Sequence, residues 1–342
     1  MYSFKNDYSE GCLPEIMEAM VKTNLEQTVG YGLDYHCENA AALIQKAIGR
    51  PDAAVHLLVG GTQTNRTAIT AFLRPHQAAI AADTGHIAVH ETGAIEASGH
   101  KVLTVPSPDG KLTPADVEEV VELHPDEHMV KPKMVYISDS TEVGTVYTKA
   151  ELQALRAVCD KLGLILYLDG ARLGCALTCG ENDLTLNDIA NLTDAFYIGA
   201  TKNGGIMGEA MVILNESLKE DFRYHIKQNG GLLAKGRMLG IQFEQLFTGD
   251  LFFRAARHAN EMAALIQDCF DRCGVKVVAK SPTNQLFPIL PNEAVEKLAL
   301  DYDFQVWAKE SDTETSIRLV TSWATDENKV RAFIRDFEAL VK

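Results

Sequence analysis

Short apolar runs alternate with amphipathic stretches through the first two thirds of the chain. Val55 to Val59, His100 to Val105, Met134 to Ser138, Leu164 to Leu168 and Ala195 to Ile198 have the length and apolar content of strands. Between them, Pro114 to Leu123 and Lys149 to Leu162 carry apolar residues at helical spacing behind acidic first turns. In the second stretch Ala150, Leu152, Leu155 and Val158 fall on one face. The alternation predicts βαβ units, and so an α/β architecture with a mostly parallel central sheet flanked by helices.

The pattern changes in the last third. Leu232 to Phe247 and Leu251 to Cys273 predict two long helices, with Gly274 as a stop signal. Strands are then expected near Val275 to Ala279, Gln285 to Leu290, Phe304 to Trp307 and Ser316 to Thr321, closed by a helix from Asp326 to Val341. This predicts a large domain over residues 1–250, including the N-terminal segment, and a small C-terminal α+β domain over 251–342. The boundary is confined to the interval from Phe247 to Gly274, and no internal repeat or low-complexity linker marks it.

Composition narrows the function classes. With 342 residues the chain can bury a substantial core. Acidic residues outnumber basic ones, 47 against 32, and the formal charge of -15 disfavours nucleic acid or an anionic membrane as partner. Any anion site must therefore be built locally. The opening MYSFKNDYSEG lacks the apolar core of a signal peptide, and no run approaches the roughly 20 apolar residues of a membrane span, so the cytoplasm is the expected location. Seven cysteines leave at least one unpaired, and Cys175 with Cys179 and Cys269 with Cys273 have helical rather than zinc-binding spacing. Reduced thiols are expected, with no metal site.

The candidate chemistry gathers at strand ends. The run Leu164 to Leu168 ends in Asp169, and a carboxylate at that end lies where open α/β sheets bind ligands. Lys202 follows the next short strand in a glycine-rich loop. A lysine amine held in a water-poor cleft loses proton affinity and becomes a nucleophile toward aldehydes. An anionic carboxylate is the partner that the pyridine nitrogen of pyridoxal phosphate requires. Asp169, Arg172 and Lys202 thus supply an acid, a guanidinium and an amine of the kind that cofactor uses. Upstream, VHLLVGGTQTNRTAI places Gly60, Gly61 and Thr62 between a strand and a helix, where backbone N–H groups and a hydroxyl converge as a phosphate cradle.

The order LDGAR then TKNGG resembles the threonine aldolase and β-eliminating lyase group of pyridoxal-phosphate enzymes. The likeness runs from NDYSEG at Asn6 to SIRLVTSW ending at Trp323. It implies the aspartate aminotransferase type of fold (fold type I), an amino acid as substrate, and a homodimer or homotetramer with sites at the subunit interface. It also implies roles for individual residues. Lys202 is expected to carry the cofactor, Asp169 to face its ring nitrogen, Gly61 and Thr62 to hold its phosphate, and His86 to stack on its ring with Glu91 as orienting partner. Arg172 and Arg318 are expected to anchor the substrate carboxylate, and Arg237 to contact the phosphate, with Lys235 beside it. Tyr31 is expected to reach the site, in some members across an interface, and Ser9 or Asn6 to assist. His90 and His100 read as structural.

The sequence departs from the group in one place. Where typical members carry a second histidine near the substrate side chain, this chain has ISDSTEVGTVYT, and Glu142 falls at that position. The expected reaction is cleavage of L-threonine, L-allo-threonine or a related β-hydroxy-α-amino acid into glycine and an aldehyde. Arg172 and Arg318 hold the Cα–Cβ bond perpendicular to the cofactor plane, and His86, a water it positions, or Glu142 takes the hydroxyl proton. The same residues serve a β-eliminating lyase if Cα–H stands perpendicular instead. A cofactor-binding protein without turnover is the alternative of a different class. Cβ stereopreference, use of a monovalent cation and oligomer size are left open by the sequence.

Overall fold

The computed structural model describes residues 1–341. The chain opens with a two-residue strand, β1 (Tyr2–Ser3), followed by helices α1 (Pro14–Lys22) and α2 (Tyr35–Ile48). The main sheet and its covering helices come next: β2 (Ala54–Leu58), α3 (Gly61–Phe72), β3 (Gln77–Ala82), α4 (His86–Val89), β4 (Lys101–Val105), α5 (Pro114–Glu122), β5 (Lys131–Ser138) and α6 (Lys149–Leu162). Then follow β6 (Ile165–Asp169), α7 (Leu173–Thr178), α8 (Leu186–Leu192), β7 (Ala195–Gly199), β8 (Glu209–Ile213), α9 (Phe222–Gln228), α10 (Arg237–Phe247) and α11 (Leu251–Arg272). The seven strands lie in the order β2-β8-β7-β6-β5-β3-β4. All run parallel except β8, which is antiparallel to both β2 and β7.

The central strands β6 and β7 are buried on both faces, which is why they read as unbroken apolar runs, whereas the edge strands β2 and β4 are partly exposed. Leu166, Leu168, Phe196, Ile198 and Val212 enter one core layer, while Tyr167, Tyr197, Met211 and Ile213 enter the layer covered by α3 and α9. Helix starts are fixed locally: Thr113, Thr148 and Thr185 close capping boxes with Asp116, Glu151 and Asp188. Each such cap contributes about 1 kcal/mol. Two strands escaped the hydrophobic pattern. In β3 four of the six residues are alanine, the best helix former, and β8 begins on a glutamate. The helix expected from Leu232 begins at Arg237, and its N-cap Gly236 passes so close to Gly32 that a Cβ there would lie 2.3 Å from the Gly32 nitrogen.

The C-terminal unit holds β9 (Lys276–Val277), β10 (Gln285–Leu286), β11 (Pro288–Pro291), α12 (Asn292–Leu298), β12 (Tyr302–Asp303), β13 (Gln305–Lys309), β14 (Glu314–Val320) and α13 (Glu327–Val341). The strand expected from Gln285 to Leu290 is interrupted where Pro288 has no N–H to give, yet β10 and β11 face β14 in one continuous register. The core of this unit joins Met262, Ile266 and Phe270 to Ile317, Leu319, Phe333 and Phe337, whereas α11 as far as Ala255 packs in the main core. The N-terminus also belongs to it physically. β1 pairs with β12, Phe4 is fully buried in the second core, and its carbonyl accepts from the Val320 N–H at 2.7 Å. All seven cysteines are free. Among the described residues no helix is long and apolar enough to cross a membrane.

Candidate active site

The C-terminal ends of β5, β6 and β7 open into a cavity of about 410 Å³, a volume suited to a small cofactor with its substrate. Tyr8, Gly60, Gly61, Thr62, His86, Glu142, Arg172, Lys202 and Arg318 all line it. A second cavity of about 350 Å³, between α2 and α10, is lined by Tyr31, Asp34, Cys37 and Arg223 but contains no lysine. Of these two cavities only the first holds an amine, that of Lys202.

Asp169 ends β6 beneath the cavity wall, 3% exposed. Its Oδ1 accepts from the Ala171 N–H (3.0 Å) and the Tyr197 hydroxyl (2.5 Å). Its Oδ2 accepts from the Asn65 amide (2.9 Å) and the Tyr136 hydroxyl (2.6 Å). Burial alone raises a carboxyl's pKa, but the charge of His86 and the hydrogen bonds from Tyr136, Tyr197 and Asn65 outweigh it and hold Asp169 below its ordinary value. The group is an anion without a salt-bridging cation. A hidden chain continues from it: Asn65 also donates to Glu91 (2.8 Å), and Glu91 bonds His86 Nδ1 at 2.8 Å. Burial depresses the His86 pKa, yet Glu91, Glu142 and Asp169 raise it above the usual histidine value.

Lys202 follows β7 at the rim of the same opening. Burial and the charge of Arg172 lower its proton affinity, opposed by Asp7, Glu142 and Asp169. This is the environment in which an amine becomes nucleophilic. Glu142 lies in the loop after β5, nearly buried and facing the cavity.

The two arginines differ in freedom. Arg172 is bound by Asp7, with Nε to Oδ2 at 2.7 Å and Nη2 to Oδ1 at 3.0 Å, and Asn284 donates to the same carboxylate. Burial disfavours its charge, but Asp7 more than restores it and raises its pKa. Arg318, on β14, lies 5.8 Å from the centre of the Trp307 ring, and its Nε has no partner. Burial and the neighbouring Arg172 charge lower its pKa.

Three expected site residues stand elsewhere in the single chain. Arg237 donates to the carbonyls of Thr23 (2.9 Å) and Asn24 (3.2 Å), because α10 packs on α1 and α2 and carries its first turn to that segment. Tyr31 lies with Lys227 over its ring at 4.9 Å and lines the second cavity. Ser9 is exposed and donates to Asn6 (2.9 Å), while its neighbour Tyr8 turns to the cavity. Lys235 is also exposed. His100 is buried and bonds the Gln77 carbonyl, whereas His90 lines the cavity 5.6 Å from the His86 ring. Asp7, Asn65, Tyr136, Tyr197, Thr201, Glu209 and Gln305 were not singled out by motif. The two tyrosines within buried strands, Tyr136 and Tyr197, were the available signal, since a buried phenol requires a partner.

A family model described as "Beta-eliminating lyase" matches residues 5–292. The chain belongs to that family. A low specificity L-threonine aldolase from Pseudomonas sp. (strain NCIMB 10558) is 35% identical over 345 residues, covering 99% of this chain and 97% of that protein. Among solved structures, Leishmania major threonine aldolase is 52% identical with a TM-score of 0.99, covering all of both chains. A Thermus thermophilus aspartate aminotransferase mutant, at 16% identity and a TM-score of 0.74 over 100% of this chain and 92% of that one, shares the fold alone. Members of the β-eliminating lyase family depend on pyridoxal phosphate, and the donors here fit it. They comprise an amine of lowered proton affinity, an uncapped helix start beside Gly60, and a carboxylate kept ionised by the charge of His86 and by hydrogen bonds from Tyr136, Tyr197 and Asn65.

Proposed function

We propose that the protein is a pyridoxal-phosphate-dependent carbon–carbon lyase that cleaves L-threonine, L-allo-threonine or a related β-hydroxy-α-amino acid to glycine and an aldehyde. The observation that carries this reading is one cavity in which the Lys202 amine, two guanidinium groups and the His86–Glu91–Asn65–Asp169 chain converge. The similarity to threonine aldolases over the whole chain supports it.

Pyridoxal phosphate bound here supplies a sink for the electron pair released when a bond to Cα breaks. Lys202 would hold it covalently, Gly61 and Thr62 would take its phosphate, and Asp169 would face its ring nitrogen. The protein's own work is placement and proton handling. Arg318, with the part of Arg172 not taken by Asp7, would bind the substrate carboxylate and so fix the direction of the Cα–Cβ bond within the cavity. His86 has Nδ1 engaged by Glu91, so Nε2 is the nitrogen available to accept the β-hydroxyl proton as the carbonyl of the aldehyde forms. Glu142 also lines the cavity and is the competing base. The charge of His86 and the hydrogen bonds from Tyr136, Tyr197 and Asn65 favour the anionic form of Asp169.

The test is incubation of the pure protein with L-threonine, L-allo-threonine, phenylserine and serine, with separate assays for aldehyde and for pyruvate with ammonia. Aldehyde and glycine in equal amounts are expected. Pyruvate without aldehyde overturns the aldolase reading in favour of β-elimination.

A further inference from the structure

Glu209 is a buried acid that the mechanism above leaves unused. It opens β8, is 3% exposed, and stands in register with Gly199 on β7 and Leu58 on β2, two residues before Gly60. Its Oε1 accepts from the Thr201 hydroxyl at 3.0 Å, and its Oε2 is buried with no hydrogen-bond partner. Both residues line the Lys202 cavity together with Gly60, Gly61 and Thr62. The 12-residue helix α3 begins there without a side-chain cap, and a Cβ built on Gly60 meets nothing within 4 Å. This corner thus combines uncapped helix N–H donors, open space and one unpartnered carboxyl oxygen.

No arginine of the chain is committed to it. Arg172 is bound to Asp7, Arg318 lies over Trp307, and Arg237 is held by Thr23 and Asn24. An ionised Glu209 beside a phosphate ester would repel it, whereas a protonated one would offer the hydrogen bond that Oε2 lacks. Burial is the largest influence on Glu209 and the Asp169 charge adds to it, while the Thr201 hydroxyl, the Ala200 backbone and the charge of Lys202 oppose it; the balance drives its pKa up to about 8.

We propose that Glu209 serves as a protonated hydrogen-bond donor to the phosphate ester of the cofactor, held in place by Thr201. Cofactor retention is then linked to one proton. The donor is present at neutral pH and is lost as pH rises through the pKa of the acid, when a carboxylate faces the phosphate instead. The glutamine isostere keeps an N–H donor and cannot titrate.

The inference rests on the reading of Gly61 and Thr62 as the phosphate cradle. It is tested by measuring cofactor release from the loaded wild-type protein and from Glu209→Gln, both checked by thermal melt, from about pH 6.5 to 9.5. Pyridoxal without its phosphate is the parallel probe. For wild type, the Kd for pyridoxal phosphate is expected to weaken by up to about tenfold per unit above pH 8 beyond any change seen with pyridoxal. Glu209→Gln should lose that extra dependence and at the alkaline end hold the phosphate form about tenfold or more tightly than wild type. Identical pH profiles in the two proteins overturn the proposal. So does an effect equal for pyridoxal and its phosphate, which would assign Glu209 to Lys202 instead.

A measurement on wild type alone covers failure of the variant to fold. Inorganic phosphate should compete with cofactor uptake less effectively as pH rises from about 8 to 9.5, where phosphate itself has finished titrating. Constant competition sinks the idea. Failure of wild type to take up pyridoxal phosphate, or uptake that does not need Lys202, would remove the functional reading and this inference together. Uptake through Lys202 with no effect specific to phosphate removes the inference only.

Discussion

The two walls of the Lys202 cavity are built on different terms. On the side of the main sheet, Asp169 accepts four hydrogen bonds, Asn65 bridges it to Glu91, and Glu91 fixes His86, all within buried structure. On the side of the C-terminal unit, Arg318 rests on Trp307 with an unpartnered Nε, and β13 beside it carries a register shift between Val306 and Ala308. On the main-sheet side both Asp169 oxygens are satisfied before any ligand arrives, and the unpartnered atoms there are acceptors, Oε2 of Glu91 and of Glu209; the other side keeps a donor in reserve. Satisfied networks preorganise a cofactor's electronics, whereas an unpaired guanidinium next to a second cation is a site awaiting an anion. Arg172 shows the intermediate case, since Asp7 has already taken most of its fork.

Substitutions on each wall separate these roles. The largest effect is expected from Lys202→Ala, which should cut aldehyde release by about 10³-fold or more and abolish borohydride-trapped cofactor on that peptide by mass spectrometry. Retention of trapped cofactor would place the anchor elsewhere. Asp7→Asn should strand the buried Arg172 charge and lower unfolding stability by about 3–5 kcal/mol, read by urea denaturation. Unchanged stability would mean that Arg172 finds another counter-charge and is not committed to Asp7.

Arg318→Ala should raise KM for the amino acid by about 10- to 100-fold while leaving cofactor affinity in place. A fall in cofactor affinity instead would erase the proposed division between the walls. The smallest effect concerns pH. His86 has a pKa raised above the usual value chiefly through Glu91, and a base must be deprotonated to act, so kcat/KM should climb with pH through that raised value. Glu91→Gln removes the charge that holds the proton, and the climb should move to lower pH by about one unit. A limb that stays fixed in Glu91→Gln but moves in Glu142→Gln would transfer the role of base to Glu142.

Much of this arrangement is legible in the order of residues. The apolar runs marked β5, β6 and β7 within a few residues, because central strands covered on both faces carry few polar residues, and they also found the half-exposed edge strands β2 and β4. β3 was hidden by alanine and β8 by the polar start that brings Glu209 into the cavity. Resemblance assigned Arg237 and Tyr31 to the site, yet in one chain helix packing and the carbonyls of Thr23 and Asn24 hold Arg237 apart, and Tyr31 faces another cavity.

The sequence by itself determined the periodicities of strand and helix, the acidic surface, and the acid, arginine and lysine at successive strand ends, since each depends on residues close together in the chain. Only the tertiary structure decided which of those groups are free. Asp7 meets Arg172 across 165 positions, and Asn65 meets Asp169 across 104. Whether a charge is paired, and whether a buried oxygen lacks a donor, depends on neighbours that packing supplies and chain order does not.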